Sequence, residues 1–148
     1  MSLNWSVFAV QRLRDLEDRK TAVDNITEQI SALEERFTAI RSATTDGTPV
    51  QGGNENKREE MLIHNISTRE ELKTNLDIIT REIAVTEKAL EILNEEEKLI
   101  LTRFFILREK GYVERLCDEL YVSKTRLYQK KEAALKKFTL ACYGIVEL

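Results

Sequence analysis

The sequence predicts an all-α protein: a long antiparallel helical hairpin, coiled-coil-like, followed by a C-terminal helix-turn-helix domain. The chain of 148 residues holds one proline and five glycines, and 33% of its residues are charged. That balance suits charge-coated helices better than strands and turns. Over much of the first 94 positions apolar residues recur at alternating steps of three and four, the seam of paired helices. The last third breaks into shorter helical patterns around a serine cap and a run of cations.

The first helix is expected from about Asn4 to Ser42. Its later half carries Val23, Ile26, Ile30, Leu33, Phe37 and Ile40 at heptad spacing. Upstream, Trp5, Phe8, Val10, Leu13 and Leu16 are apolar, but Arg12 and Arg19 interrupt the register. From Ala43 to Asn54 the chain collects Asp46-Gly47, Pro49 and Gly52-Gly53, which predicts a loop. The loop lacks the Gly-Lys-Ser/Thr spacing of a phosphate cradle, so it reads as a connector. A second helix is expected from Glu55 to Leu93, with Leu72, Leu76, Ile79, Ile83, Leu90 and Leu93 on its seam and Thr86 filling one position. Helices of about 38 residues are each close to 57 Å long. One mutual contact leaves part of each stripe uncovered, so residues 1–94 are expected to form a homodimer or higher homo-oligomer. A monomeric hairpin closed by the C-terminal helices is the alternative.

Residues 95–148 form the second expected domain. Asn94 is a cap, and Glu95, Glu96 and Glu97 suit the positive end of a new helix. That helix is expected to reach Lys110, with Leu99, Leu101, Phe104, Phe105 and Leu107 as its apolar residues and Gly111 ending it. A second helix covers Val113 to Leu120, and a third opens after Ser123. Leu116, Leu120, Val122 and Leu127 close a small core between them, with Cys117 as the small residue at the crossing. On the third helix Leu127, Ala134, Leu135 and Phe138 fall on one side, Thr125, Gln129, Glu132 and Lys136 on the other, and Tyr128 on the flank. Tyr121 occupies the turn, where a left-handed backbone would favour glycine. The tail TLACYGIVEL is expected to extend the helix to about Tyr143 and break at Gly144. It then packs on the domain or on a partner subunit; both remain open.

The net charge of −3 hides an asymmetry: residues 1–94 sum to −5 and residues 95–148 to +2. Within 122–138, six cations face Glu132 alone, a balance of +5. A cationic stretch on the outer helix of a helix-turn-helix is the electrostatic footprint of a nucleic-acid binder.

Other classes find little support. No apolar run approaches the roughly 18 residues of a membrane span, and the first residues lack the pattern of a secretory signal, so a cytoplasmic location is expected. Cys117 and Cys142 read as reduced core thiols. His64, the single histidine, has no partner at metal-ligand spacing. No metal, no cofactor and no catalytic group is expected, hence no enzyme.

The stretch SKTRLYQKKEAALKKF resembles the last helix of sigma factor region 4, and EEEKLILTRFFI looks like the helix beneath that motif. Lys130 stands where that pattern usually carries an apolar residue. The whole chain, with TPVQGGN and FTLACYGIVEL, is similar to the small phage and prophage late-gene transcriptional regulators of the ArpU/RinA type. That resemblance implies a sequence-specific transcriptional regulator, an activator, acting on double-stranded DNA in a bacterial host cytoplasm, with RNA polymerase as a further partner. The likeness to region 4 places Lys124, Thr125, Tyr128 and Gln129 at base edges, and Arg126, Lys130, Lys136 and Lys137 at phosphates. Two other readings are a phage DNA-packaging recognition subunit, small-terminase-like, and a protein-binding coiled-coil module.

Overall fold

The computed structural model describes residues 3–43 and 52–147, with side chains from Glu55 onward in the second stretch. Among the described residues five α-helices follow one another: α1 (Trp5–Ser42), α2 (Gly52–Glu91), α3 (Glu95–Leu101), α4 (Tyr112–Leu120) and α5 (Lys124–Tyr143). Among the described residues there is no strand, only an isolated bridge between Asn4 and Glu147. The all-α expectation holds, and among the described residues no helix is long and apolar enough to cross a membrane. Most of the expected loop at 43–54 lies outside the described residues; α2 begins at Gly52, earlier than Glu55.

The chain divides into two compact units, Met1–Lys20 with Glu82–Leu148, and Thr21–Arg81. The break expected at Asn94 is a helix boundary, but it falls inside the first unit.

In the unit Thr21–Arg81, the heptad residues of α1 turn inward: Ile26 is buried, and Val23, Ile30, Leu33, Phe37 and Ile40 are half-buried. Opposite them, α2 contributes a polar seam residue that periodicity missed. Asn65 is buried, and its Nδ2 donates to the Leu33 carbonyl at 2.9 Å. Arg69 Nε donates to Asn65 Oδ1 at 2.8 Å, and the guanidinium lies 4.9 Å from the Phe37 ring centre. A buried amide satisfied only in one alignment fixes the register of paired helices.

In the other unit, two apolar clusters organise the helices. The first joins Ala9 and Leu13 of α1, Ala89 of α2 and Leu93 just after it, Leu101 of α3, and Ala134, Leu135 and Phe138 of α5. The second joins Ile100 and Phe104 to Leu116 of α4 and Leu127 of α5, with Cys117, Leu120 and Val122 against them. The small core expected between the last two helices is therefore present.

Arg12, which breaks the heptad, has a specific task here. Its guanidinium pairs with Glu82 at 2.7 Å and donates to the Glu82 carbonyl at 3.0 Å and to the Tyr143 hydroxyl at 3.2 Å. It ties α1 to α2 and α5 at once. Burial pulls its pKa down, but the Tyr143 hydrogen bond and the Glu82 charge more than offset this, so the net direction is upward. Nearby, burial pushes the Cys142 thiol up to about 11, leaving it protonated at neutral pH. Both cysteines are free thiols.

The tail meets the start of α1. The Trp5 amide, one of the unpaired donors of the first turn of α1, donates to the Val146 carbonyl at 2.8 Å. The Trp5 and Tyr143 rings lie 4.9 Å apart. Gly144 ends α5 at φ 81°, as its position predicts.

Two boundaries depart from expectation. The helix expected to reach Lys110 stops being α-helical at Leu101 and continues as one π turn, Thr102–Ile106, closed by the Leu107 amide on the Thr102 carbonyl at 2.8 Å. The wider turn lets neighbouring apolar residues serve both clusters: Ile106 packs on the first, Phe104 lies in the second, and Phe105 touches both. Gly111 does not end that helix. At φ 76° it stands before the first turn of α4.

Candidate nucleic-acid interface

The geometry of α4, the turn and α5 begins with chain chemistry. The α4 helix is closed by Tyr121 in the left-handed conformation, φ 55° and ψ 45°. The Val122 amide returns to the Cys117 carbonyl at 3.1 Å, the long-range bond of a Schellman closure. Val122 packs with Cys117 on the second cluster, which holds that closure in place. One residue later, Ser123 Oγ accepts from the Arg126 amide at 3.1 Å and starts α5. A short left-handed turn between a terminated helix and a capped one is what a helix-turn-helix requires.

The two faces of α5 separate as the helical projection predicts. Leu127, Ala134, Leu135 and Phe138 are buried. Lys124, Thr125, Arg126, Gln129, Glu132 and Lys136 are exposed. Tyr128, on the flank, is partly committed: its ring meets Phe104 edge-on at 5.7 Å, with Lys131 Nζ 5.4 Å from its centre. Arg126 Nη1 donates to Gln129 Oε1 at 3.3 Å, so these two side chains present a joined polar surface.

The cations fall into two groups. Lys130 Nζ pairs with Glu96 at 2.7 Å, and Lys137 Nζ with Glu97 at 2.9 Å. Lys131 lies under aromatic rings and pairs with Glu132 at 2.7 Å. The acidic start of α3 thus neutralises two of the expected phosphate contacts. Lys124, Arg126 and Lys136 have no ion pair among the described residues. A shallow groove between α3 and α5, lined by Glu96, Glu97, Arg126, Gln129 and Lys130, records this arrangement. These pairs were beyond sequence reasoning, because the partners lie on helices far apart in the chain. Only the acid-rich start of α3 hinted at them.

Glu97 does two jobs. Its carboxylate accepts from the Asn94 amide at 3.1 Å, while Asn94 Oδ1 accepts from the Glu97 amide at 2.8 Å, a reciprocal capping box. Partial burial pushes its pKa up, but the Lys137 and Asn94 hydrogen bonds outweigh burial, and the net direction is down. A lowered carboxylate pKa contributes stability that is complete above the unfolded value and is lost as pH falls through the folded one. Glu97→Gln, which keeps the cap's shape, is expected to flatten the acid limb of stability below about pH 5. Urea midpoints across that range, wild type against variant, check it; parallel curves would contradict the assignment.

The family model described as "Protein of unknown function (DUF1492)" matches residues 39–139, a span that includes α2, α3, α4 and most of α5. No curated protein and no solved structure matches the chain.

Proposed function

This chain belongs to the DUF1492 family, and we propose that it is a sequence-specific, double-stranded-DNA-binding transcriptional regulator. In this reading α5 is the major-groove reader. The carrying observation is the outward face of α5. Its first turns expose Lys124, Thr125 and Gln129, while a capped start and two apolar clusters fix the opposite face. Side chains of this kind on a rigid helix can meet base edges: glutamine reads adenine in a bidentate manner, and short hydroxyls serve either partner. Arg126 and Lys136, exposed and without carboxylate partners among the described residues, suit the phosphates on either side. Lys130 and Lys137 serve phosphates only by leaving Glu96 and Glu97, so their contribution is smaller than their charge implies.

The similarity to sigma region 4 and to ArpU/RinA-type regulators supports the finer form of this reading: an activator of phage or prophage late genes, assembled as a homodimer or higher oligomer through the long helices. RNA polymerase is the second partner in that form.

The test separates reading from anchoring. Gln129→Ala is expected to cost about 1–3 kcal/mol at one base position of a selected operator and little elsewhere. Lys136→Ala is expected to weaken all sequences alike and flatten the salt slope by about one. An unchanged operator footprint for Gln129→Ala would remove α5 as the reader.

A further inference from the structure

Tyr121 is the only non-glycine residue with positive φ among the described residues. The backbone there is imposed by its surroundings: Val122 is anchored in the second cluster, and the Cys117 carbonyl takes the closing amide. Glycine would adopt this conformation without the clash a Cβ brings. The sequence instead places a large aromatic residue there, and the fold makes no use of its ring. Tyr121 is 94% exposed, and no hydrogen bond or ring contact of its side chain occurs among the described residues. Burial, packing and strain relief therefore all fail to explain it. A strained residue with no internal role points to an external one.

Its position supplies that role. Two residues separate Tyr121 from Lys124, where the exposed start of α5 begins. When the first turns of a reader helix enter a major groove, the turn preceding it lies beside the phosphate ridge that borders the groove. Tyrosine hydroxyls are among the donors that phosphate oxygens accept in protein–DNA contacts. We propose that Tyr121 is a DNA-backbone contact whose phenolic hydroxyl donates to a phosphate oxygen at the groove edge and sets the register of α5. This rests on the helix-turn-helix reading above. The contact is neutral, so it adds affinity without releasing counterions, unlike that of Lys136.

Anisotropy titrations of the full chain with a selected duplex, over a range of salt, test it. Tyr121→Phe keeps the ring and removes only the donor; affinity is expected to fall roughly five- to tenfold with an unchanged salt slope. Tyr121→Gly relieves the backbone, so its melting temperature is expected to rise by roughly 2–5 °C while binding weakens at least as much as for Phe. Stability and binding then move in opposite directions, which a purely structural residue would not do. If both variants bind like wild type while Gln129→Ala weakens binding, the Tyr121 contact is overturned and the reader helix stands. If wild type itself ignores the duplex at low salt, the DNA reading falls and takes this contact with it.

Discussion

Phe138→Ala is expected to cost about 3–5 kcal/mol of stability, the range for deleting a buried aromatic ring. Phe138 is 0% exposed, and its cluster draws together the start of α1, the end of α2, α3 and α5 itself. Such a site has little freedom to collapse, because four separate segments line it and each has other anchors. The cavity should persist, and loss of packing adds to loss of transfer energy. Since α5 carries the outward face, the DNA binding proposed above should fall in the same variant in proportion to its unfolded fraction. Urea denaturation followed by circular dichroism measures the first effect; a shift below about 1 kcal/mol would show that the cluster closes over the gap.

Arg12→Met is the second large effect, expected at about 2–4 kcal/mol. The Arg12 side chain is only 12% exposed, and it serves a carboxylate, a carbonyl and a phenol on two other helices. Methionine keeps much of the stem's packing and removes every hydrogen bond. Glu82, at 36% exposure, can rehydrate once its partner is gone, which keeps the figure below that of a fully buried pair. A double-mutant cycle with Tyr143→Phe should return a coupling of roughly 0.5–1.5 kcal/mol. A coupling of zero would mean that the phenol contributes nothing to holding the guanidinium.

Arg12 also shows where sequence reading stops. As a seam residue it registers only as an interruption, because a one-dimensional pattern cannot say what a charge meets across the fold. Asn65 is the same case on α2: it completes the alternation of threes and fours, but a polar residue is invisible to an apolar count. The two faces of α5, by contrast, were legible residue by residue, since helical projection depends only on local spacing. The Ser123 cap and the Gly144 stop were legible for the same reason. The π turn after Leu101 was not: five apolar residues between Leu99 and Leu107 fit an ordinary helix, and only two competing clusters force the wider turn. The candidate interface divides along the same line. Exposure of Thr125, Gln129 and Lys136 followed from periodicity, whereas the pairing of Lys130 and Lys137 with α3 required the tertiary fold.

The most direct measurement is selection of bound fragments from a pool of random duplexes by the full chain, at low and then moderate ionic strength. Enrichment of one motif is expected, with recovery that depends on Gln129 and affinity that falls steeply with salt. A pool that emerges unchanged, or a motif equally enriched by a chain carrying alanine at Lys124, Gln129 and Lys136, would contradict it.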